Sequence, residues 1–254
     1  METRQSRLVL DLFFCAFVVL LVPMLRAQTQ SEGLYYARLN SFGVFGAYSG
    51  DSSHMMMGTA QNRKLLFFGV CYNRRLILNR VANWQFSGEI MPVALESDPV
   101  VHTVYHETSP QSIDWGADSR QSAACANQSG SYEYTFPSGV QVAYSYVSTC
   151  KRQWTMGQAL SPAGMQWNFR PSRSLQPFAT AHAGYLYSTQ PIPVDSAGSF
   201  NFTFDVGAGV ELYRSRTRSI RAEYRYHHIS NGDTANDNPG IDSGLFQISY
   251  CFGR

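Results

Sequence analysis

The sequence predicts an all-β chain, an eight-stranded antiparallel transmembrane β-barrel with a long insertion between its third and fourth strands. Three observations predict it. Composition is the first: 44% of the 254 residues are hydrophobic and 14% aromatic, but only 15% are charged. An average soluble domain carries about 25% charged residues. Mean hydropathy is still −0.22, because small polar residues fill the gap. The second is period-two alternation, which recurs along the chain where no 3.6-residue period does. The third is that short turns alternate with long connections, as in outer-membrane barrels. The same numbers exclude other classes. A disordered chain is charge-rich and aromatic-poor. A polytopic helical membrane protein needs several apolar runs of ~18 residues, and one run approaches that length. A net charge of +2 is too small to suggest nucleic acid.

Residues 1–27 read as a signal peptide. Arg4 and Arg7 give a basic start, the stretch from Leu8 to Leu25 is apolar except for Asp11 and Pro23, and Arg26-Ala27-Gln28 follows. A cut after Ala27 is expected, although Leu25 stands where a small residue is preferred; a retained anchor helix is the alternative. Residues 28–254 are then the barrel domain. They hold four cysteines, Cys71, Cys125, Cys150 and Cys251. In an exported chain an even count permits disulfides. Cys125 and Cys150 flank one polar segment and are the expected pair. Cys71 and Cys251 lie near strand ends and read as free.

Eight strands are expected, over 41–49, 63–75, 77–92, 162–171, 177–190, 199–214, 217–230 and 242–252. Their lengths suit crossings of ~9–11 residues per tilted strand. The clearest alternation puts Phe200, Phe202, Phe204, Val206, Ala208, Val210 and Leu212 on one face, against Asn201, Thr203, Asp205 and Glu211. Met165, Trp167 and Phe169 oppose Gln166, Asn168 and Arg170. Ala179, Ala181, Ala183, Tyr185 and Tyr187 oppose Thr180, His182 and Ser188. The turn 172–176 is short, whereas 190–199 and 231–241 are long. Alternation alone does not tell inside from outside, and a lipocalin-like barrel or a periplasmic sandwich shares it. The export signal, the strand count and the aromatic strand ends favour the membrane version, with the apolar face toward lipid. The insertion, 94–160, falls on the outer, long-loop side. A structureless loop of that length is unusual. It is therefore expected to carry strands of its own, including a hairpin within 131–149 around Pro137-Ser138-Gly139, and the Cys125–Cys150 bridge.

Chemistry concentrates between Arg221 and Tyr250. Arg221, Glu223, Arg225 and His227 share one face of the seventh strand. Charges belong in the barrel interior, so Tyr224, Tyr226, His228 and Ser230 should meet lipid. On the eighth strand Asp242, Gly244, Phe246, Ile248, Tyr250 and Phe252 share the lipid-facing side. A carboxylate, an imidazole and a hydroxyl thus converge on the outside of the barrel near its outer rim, where ionisable groups are costly and usually functional. They are the types of a nucleophile, its base and the group that orients the base. Ser and His at i and i+2 on a strand lie ~7 Å apart along the backbone, within reach once the side chains lean together.

The pattern His228-x-Ser230-Asn231, followed by Asn238-Pro239-Gly240-Ile241-Asp242, resembles the lipid A 3-O-deacylase (PagL) family, outer-membrane barrels that hydrolyse the 3-linked acyl ester of lipid A. The resemblance implies that Ser230 attacks the ester carbonyl, His228 is general base and Asp242 orients His228. Asn231, Asn238 and the backbone about Gly240 are implied as oxyanion or positioning groups. The family usually has Glu at the acidic position, twelve residues after the serine; Asp is one methylene shorter and is expected to reach His228 less directly. The implied substrate is lipid A or lipopolysaccharide, the setting is membrane lipid in the outer membrane of a Gram-negative bacterium, and a homodimer is compatible. No metal or cofactor is implied. The competing reading is a non-enzymatic OmpX- or OmpA-like barrel with a structural or adhesive role. In that reading His228 and Ser230 are rim residues bonded to loop backbone.

Other polar clusters have simpler readings. His227 faces the lumen. Asp233, Asn236 and Asp237 miss the EF-hand spacing and suit a turn. His102, His106 and Glu107 would ligate zinc only on a helix, which nothing there supports. Met55-Met56-Met57 reads as loop or rim packing. Arg214, Arg216, Arg218 and Arg221 cluster about a turn and read as solvated charge, with contact to phosphates as the alternative.

Overall fold

The computed structural model describes residues 35–109 and 113–254; the expected signal peptide lies outside the described residues. Among the described residues ten strands follow in chain order: β1 Asn40–Ser49, β2 Lys64–Leu78, β3 Ala82–Ser109, β4 Ile113–Arg120, β5 Gln128–Thr135, β6 Gln141–Phe169, β7 Leu175–Ser188, β8 Phe200–Ser215, β9 Arg218–Ser230 and β10 Ile241–Gly253. All pair antiparallel. β1, β2, β3, β6, β7, β8, β9 and β10 are hydrogen-bonded in that order, and β10 pairs back onto β1, closing a ring of eight. These are the eight expected strands, six of them with ends within a few residues of the expected ones.

β3 and β6 differ. The sequence ends the third strand at 92 and starts the fourth at 162, but β3 and β6 stay paired from Ala82↔Phe169 to Ser109↔Ala143. β4 adds to the outer edge of β3 and β5 to that of β6. Residues 94–160 are therefore mostly a four-stranded ribbon, β4-β3-β6-β5, rising from one wall of the barrel. Pro99 is what makes this continuity hard to read. Proline has no N–H for a ladder and is confined to positions where none is needed. Here β2 stops pairing at Ser97 and β4 starts at Val100, so Pro99 sits in the gap between two neighbours. The hairpin expected about Pro137-Ser138-Gly139 is the β5–β6 turn, closed by Phe136 N–H to Val140 O at 2.9 Å, with Gly139 at φ +82°.

The pleat sorts residues as the parity argument requires. Phe42, Val44, Phe68, Ile90, Phe202, Phe246 and Ile248 stand about half exposed on the outside, while Gln166, Asn168, Gln176, Glu211 and Gln247 are buried within. An exposed apolar surface running round the whole barrel far exceeds the patch a soluble monomer tolerates. Each buried Phe or Ile is worth ~1.5–3 kcal/mol, and only lipid recovers that here.

The lumen is a polar core. Arg225 donates to Glu89 at 2.6 and 2.8 Å, to Glu223 at 2.7 Å and to Asp205 at 3.0 Å. Lower down, Arg38 meets Glu211 at 2.5 Å and Arg221 meets Glu211 at 3.2 Å. Arg221 is thus a paired lumen residue rather than solvated turn charge. The short turns 79–81, 170–174 and 216–217 lie at one end of the barrel. The connections 50–63, 189–199 and 231–240 lie at the other with the ribbon, and the candidate site lies there too.

The cysteines divide as expected. Cys125 and Cys150 form a disulfide, and Cys71 and Cys251 are buried free thiols. Gly43 lies between these two on β1; a Cβ there would fall 2.8 Å from Cys71 Sγ and 3.1 Å from Cys251 Sγ. Both sulfurs occupy the space a side chain would take.

Candidate active site

The β9–β10 ladder sets His228 directly opposite Asp242. Their side chains point to the lipid side, and His228 Nδ1 lies 2.6 Å from Asp242 Oδ1. The shorter acid makes direct contact after all, because cross-strand partners start only ~4.5–5.5 Å apart at Cβ. Tyr226, two residues before His228, donates its hydroxyl to the same oxygen at 2.7 Å. The other oxygen accepts the backbone N–H groups of Met56 and Met57 at 2.7 and 2.8 Å. Four donors thus hold one carboxylate, which is fully buried although its strand face looks toward lipid. A carboxylate in that role only accepts. His228 Nδ1 therefore carries a proton, and in the neutral ring Nε2 is the atom with the lone pair.

The cover over Asp242 comes from the segment 50–63. It runs along the start of β10 through bridges Ser52↔Ser243 and Ala60↔Ile241. Thr59 N–H donates to Pro239 O at 2.6 Å and Ala60 N–H to Gly240 O at 3.0 Å. Gly58 makes the closest approach: a Cβ there would fall 2.6 Å from Asp242 N and 3.0 Å from Asp242 Cγ. The side chains of Met55, Met56 and Met57 stay exposed. The reading of this run as loop or rim packing missed its backbone, whose amides grip the acid.

Ser230 ends β9, one alternate position beyond His228, opposite Phe202 of β8. Its hydroxyl donates to Asn238 Oδ1 at 3.0 Å and accepts Gly232 N–H at 3.1 Å. The proton is thus directed to Asn238 rather than to His228. Asn231 N–H also donates to Asn238 Oδ1, at 3.1 Å. The amide nitrogens of both asparagines are engaged inside the loop, Asn231 Nδ2 with Asp237 O at 2.7 Å and Asn238 Nδ2 with Asp233 Oδ1 at 3.0 Å. Asn231 and Asn238 therefore build the 231–240 loop and set the Ser230 rotamer. Gly240 adopts φ +61°, and a Cβ there would stand 3.3 Å from His228 Cε1. Left-handed backbone favours glycine, and here it also leaves room beside the imidazole.

All six residues singled out in the sequence lie in one neighbourhood, the outer face of the β9–β10 hairpin and its loop. Sequence reasoning missed Tyr226, Gly58 and the Met56 and Met57 amides. Tyr226 carried a signal, since it shares the parity of His228. Of the other clusters, His102 and His106 lie on β3 and pair with Asp118 and Asp114 across β4, far from a helix. Asp237 meets Ser196, and Asp233 caps Asn238. Among the described residues no group of three or more His, Cys, Asp or Glu is placed to hold a metal.

Gly58→Ala is expected to lower any turnover at this site by about 10- to 100-fold with the barrel still folded, because a misplaced supporting segment carries that order of cost. Comparing kcat with heat-modifiable migration on gels checks it; unchanged turnover would mean the segment does not hold Asp242 in the working enzyme.

Comparison with known proteins adds three findings. The family model described as lipid A 3-O-deacylase (PagL) matches residues 118–250, more than half of the chain. No curated protein matches it. Among solved structures, the outer-membrane enzyme PagL is similar at TM-score 0.42 and 12% identity, over 85% of this chain and 99% of that one. Neisserial surface protein A is similar at 0.40 and 12%, over 85% and 97%, and OprG from Pseudomonas aeruginosa at 0.39 and 10%, over 89% and 100%. With its polar lumen, its apolar exterior and a family match over most of the ring from β6 to β10, the protein is an outer-membrane β-barrel of a Gram-negative bacterium and belongs to the lipid A 3-O-deacylase (PagL) family.

Proposed function

We propose that the chain is a serine esterase that hydrolyses the 3-linked 3-hydroxyacyl ester of lipid A, with Ser230 as nucleophile, His228 as general base and Asp242 as the group that orients His228. The observation that carries this reading is the fully partnered Asp242 carboxylate against His228 Nδ1, on a lipid-facing strand surface where ionisable groups are costly and mark function.

In the first step Ser230 Oγ bonds to the ester carbonyl carbon and its proton passes to His228 Nε2. The carbonyl π electrons move onto oxygen, giving an oxyanion beside the 231–240 loop. Collapse re-forms the carbonyl and breaks the bond to the sugar 3-oxygen, which leaves with the proton from His228. Water, deprotonated by the same imidazole, then adds to the acyl carbon, and collapse breaks the bond to Ser230 Oγ, which leaves with the proton from His228. The products are a 3-hydroxy fatty acid and an underacylated lipid A. For the first transfer the hydroxyl must rotate from Asn238 toward His228, a tightening commonly seen between free and substrate-bound sites. The location suits the substrate: the ester sits where acyl chains meet the headgroup, and Phe202, Phe204 and the exposed methionines border the site from the lipid side.

Mass spectrometry of lipid A from a host carrying the protein in its outer membrane tests the reading. Loss of one 3-hydroxyacyl chain with the wild type, and none with Ser230→Ala, is expected. The Ser230–Asn238 hydrogen bond also fits the competing reading of a silent OmpX- or OmpA-like barrel, in which Ser230 is a rim residue bonded to its loop. An unchanged lipid A with folded protein would favour that reading.

A further inference from the structure

We propose that the ribbon β4-β3-β6-β5 carries a binding face for neutral sugars, which holds the oligosaccharide of lipopolysaccharide while its lipid A stands at the Ser230 site. The choice of this glycan rests on the deacylase reading; the chemistry of the face does not.

The face begins with a row of rings that crosses all four strands. Trp115 of β4 stacks on Tyr105 of β3 at 4.1 Å between centroids. Tyr105 lies 6.2 Å from Tyr146 of β6, Tyr146 lies 6.4 Å from Tyr132 of β5, and Tyr132 stacks with Tyr144 of β6 at 5.2 Å. Gly130 lets the row lie close to the sheet, for a Cβ there would fall 2.9 Å from the Tyr146 ring. Trp115 and Tyr132 are nearly half exposed. An aromatic row open to water is a liability without a ligand, and rings that keep a polar tip suit one that is apolar on its face and wet at its edge.

Below the row lies a cavity of about 300 Å³. Thr103, Ser148, Gln121 and Gln128 line it with hydroxyls and amides, and Thr103 and Ser148 are bonded to each other at 2.8 Å. None of its lining residues is charged. The pairs His102–Asp118 and His106–Asp114 belong to the alternate set of positions and so to the opposite face; on the row's own face Glu107 stands opposite Tyr144, past the cavity, where its carboxylate accepts from hydroxyls. Stacking rings beside neutral groups that both donate and accept match a pyranose, with its C–H face and its rim of hydroxyls. They offer no cationic side chain among the lining residues to meet a phosphate or a nucleic-acid backbone.

Position selects the source of the sugar. Tyr105 is eight residues beyond Ser97, which pairs with the first residue of β2, so the row stands about 26 Å along the strand past the barrel wall. That is above the headgroups, where the glycan of an outer-leaflet lipid extends. Gln121 also lines a second polar cavity shared with Asp237, Asn238 and Pro239. A polar path thus leads from the row down to the loop that holds Ser230. The Cys125–Cys150 disulfide fixes the 121–127 segment along that path.

Calorimetric titration of the full-length Ser230→Ala protein in detergent, with the lipid-free oligosaccharide released from host lipopolysaccharide by mild acid, tests the inference. Saturable binding is expected, weakened 10-fold or more by Trp115→Ala and by Tyr132→Ala, with heat-modifiable migration unchanged. Absence of saturable binding, or equal binding by the two variants, overturns it. In the catalytic background, each variant is expected to raise KM for intact lipopolysaccharide while leaving turnover of sugar-free lipid A unchanged. The two readings fail separately. Deacylation without oligosaccharide binding removes the sugar face alone, whereas binding without deacylation removes the esterase and leaves a glycan-binding barrel.

Discussion

Asp242→Asn is expected to lower lipid A deacylation by about 10⁴-fold, the size of the loss when an orienting carboxylate becomes an amide in a serine triad, with the barrel intact. The carboxylate accepts at both oxygens, from His228 Nδ1, Tyr226, Met56 and Met57. An amide offers one oxygen. If that oxygen stays with the Met amides, its NH2 faces His228 Nδ1 and forces the proton to Nε2, the atom that must be free to receive it. If it turns to His228, the NH2 group meets two backbone donors, and the segment 50–63 is pushed away. The first outcome removes the base, and the second keeps its tautomer but loses the segment that holds the orienting group in place. Asp242→Glu is the informative companion. Glutamate is the usual acid of the family, but Gly58 and the Met56 amide are closed upon the shorter side chain. The extra methylene must displace them, so the Glu substitution is expected to fall about 10-fold below wild type rather than to restore the family's rate, since overpacking a tight site forces backbone shifts. Initial rates on lipid A in mixed micelles, followed by mass spectrometry, measure both. An Asn substitution that deacylates at the wild-type rate would remove Asp242 from the mechanism.

Why the sequence revealed so much of this site, and so little of its support, follows from how strands encode contacts. A one-residue slip exchanges the two faces of a strand. Arg221, Glu223, Arg225 and His227 cannot all face lipid, so their parity alone sends Tyr226, His228 and Ser230 outward. The same rule on β10 sends Asp242 outward, and a hairpin with one loop places it beside His228. No equivalent rule governs the segment 50–63. Its contact with Asp242 spans more than 180 residues and is made by backbone amides, which every residue carries, so Met56 and Met57 look like any apolar loop. Gly58 alone bore a mark, as a glycine with no turn to explain it. The ribbon was hidden for a different reason. Beyond the rim neither face of β3 meets a uniform environment, so the alternation that marks a membrane strand fades after residue 92, and Pro99 then imitates a strand end.

Arg225→Met is expected to cost about 3 kcal/mol or more, the usual penalty for removing one partner from a buried charge cluster. Arg225 sits among Glu89, Asp205 and Glu223, and its guanidinium bonds to all three. His182 and His227 approach Asp205 at 3.6 and 3.5 Å, yet neither replaces the forked donor that joins β9 to β3 and β8 across the lumen. Methionine keeps most of the volume, so the loss comes from stranded carboxylates rather than from a void. Two consequences separate this from a general packing defect. Adding Glu89→Gln to Arg225→Met is expected to recover part of the loss, because one uncompensated charge goes with it and neighbouring sites in one network are not additive. The deacylation rate of the folded Arg225 variant is expected to stay near wild type, since Arg225 and the Ser230–His228 pair stand on opposite faces of the same strand. Urea unfolding in lipid vesicles, read by heat-modifiable migration, measures the first consequence, and rates in the absence of urea measure the second. A destabilisation below 1 kcal/mol would mean that the three carboxylates are neutralised without Arg225, so that the arginine fills the lumen rather than holding its charges together.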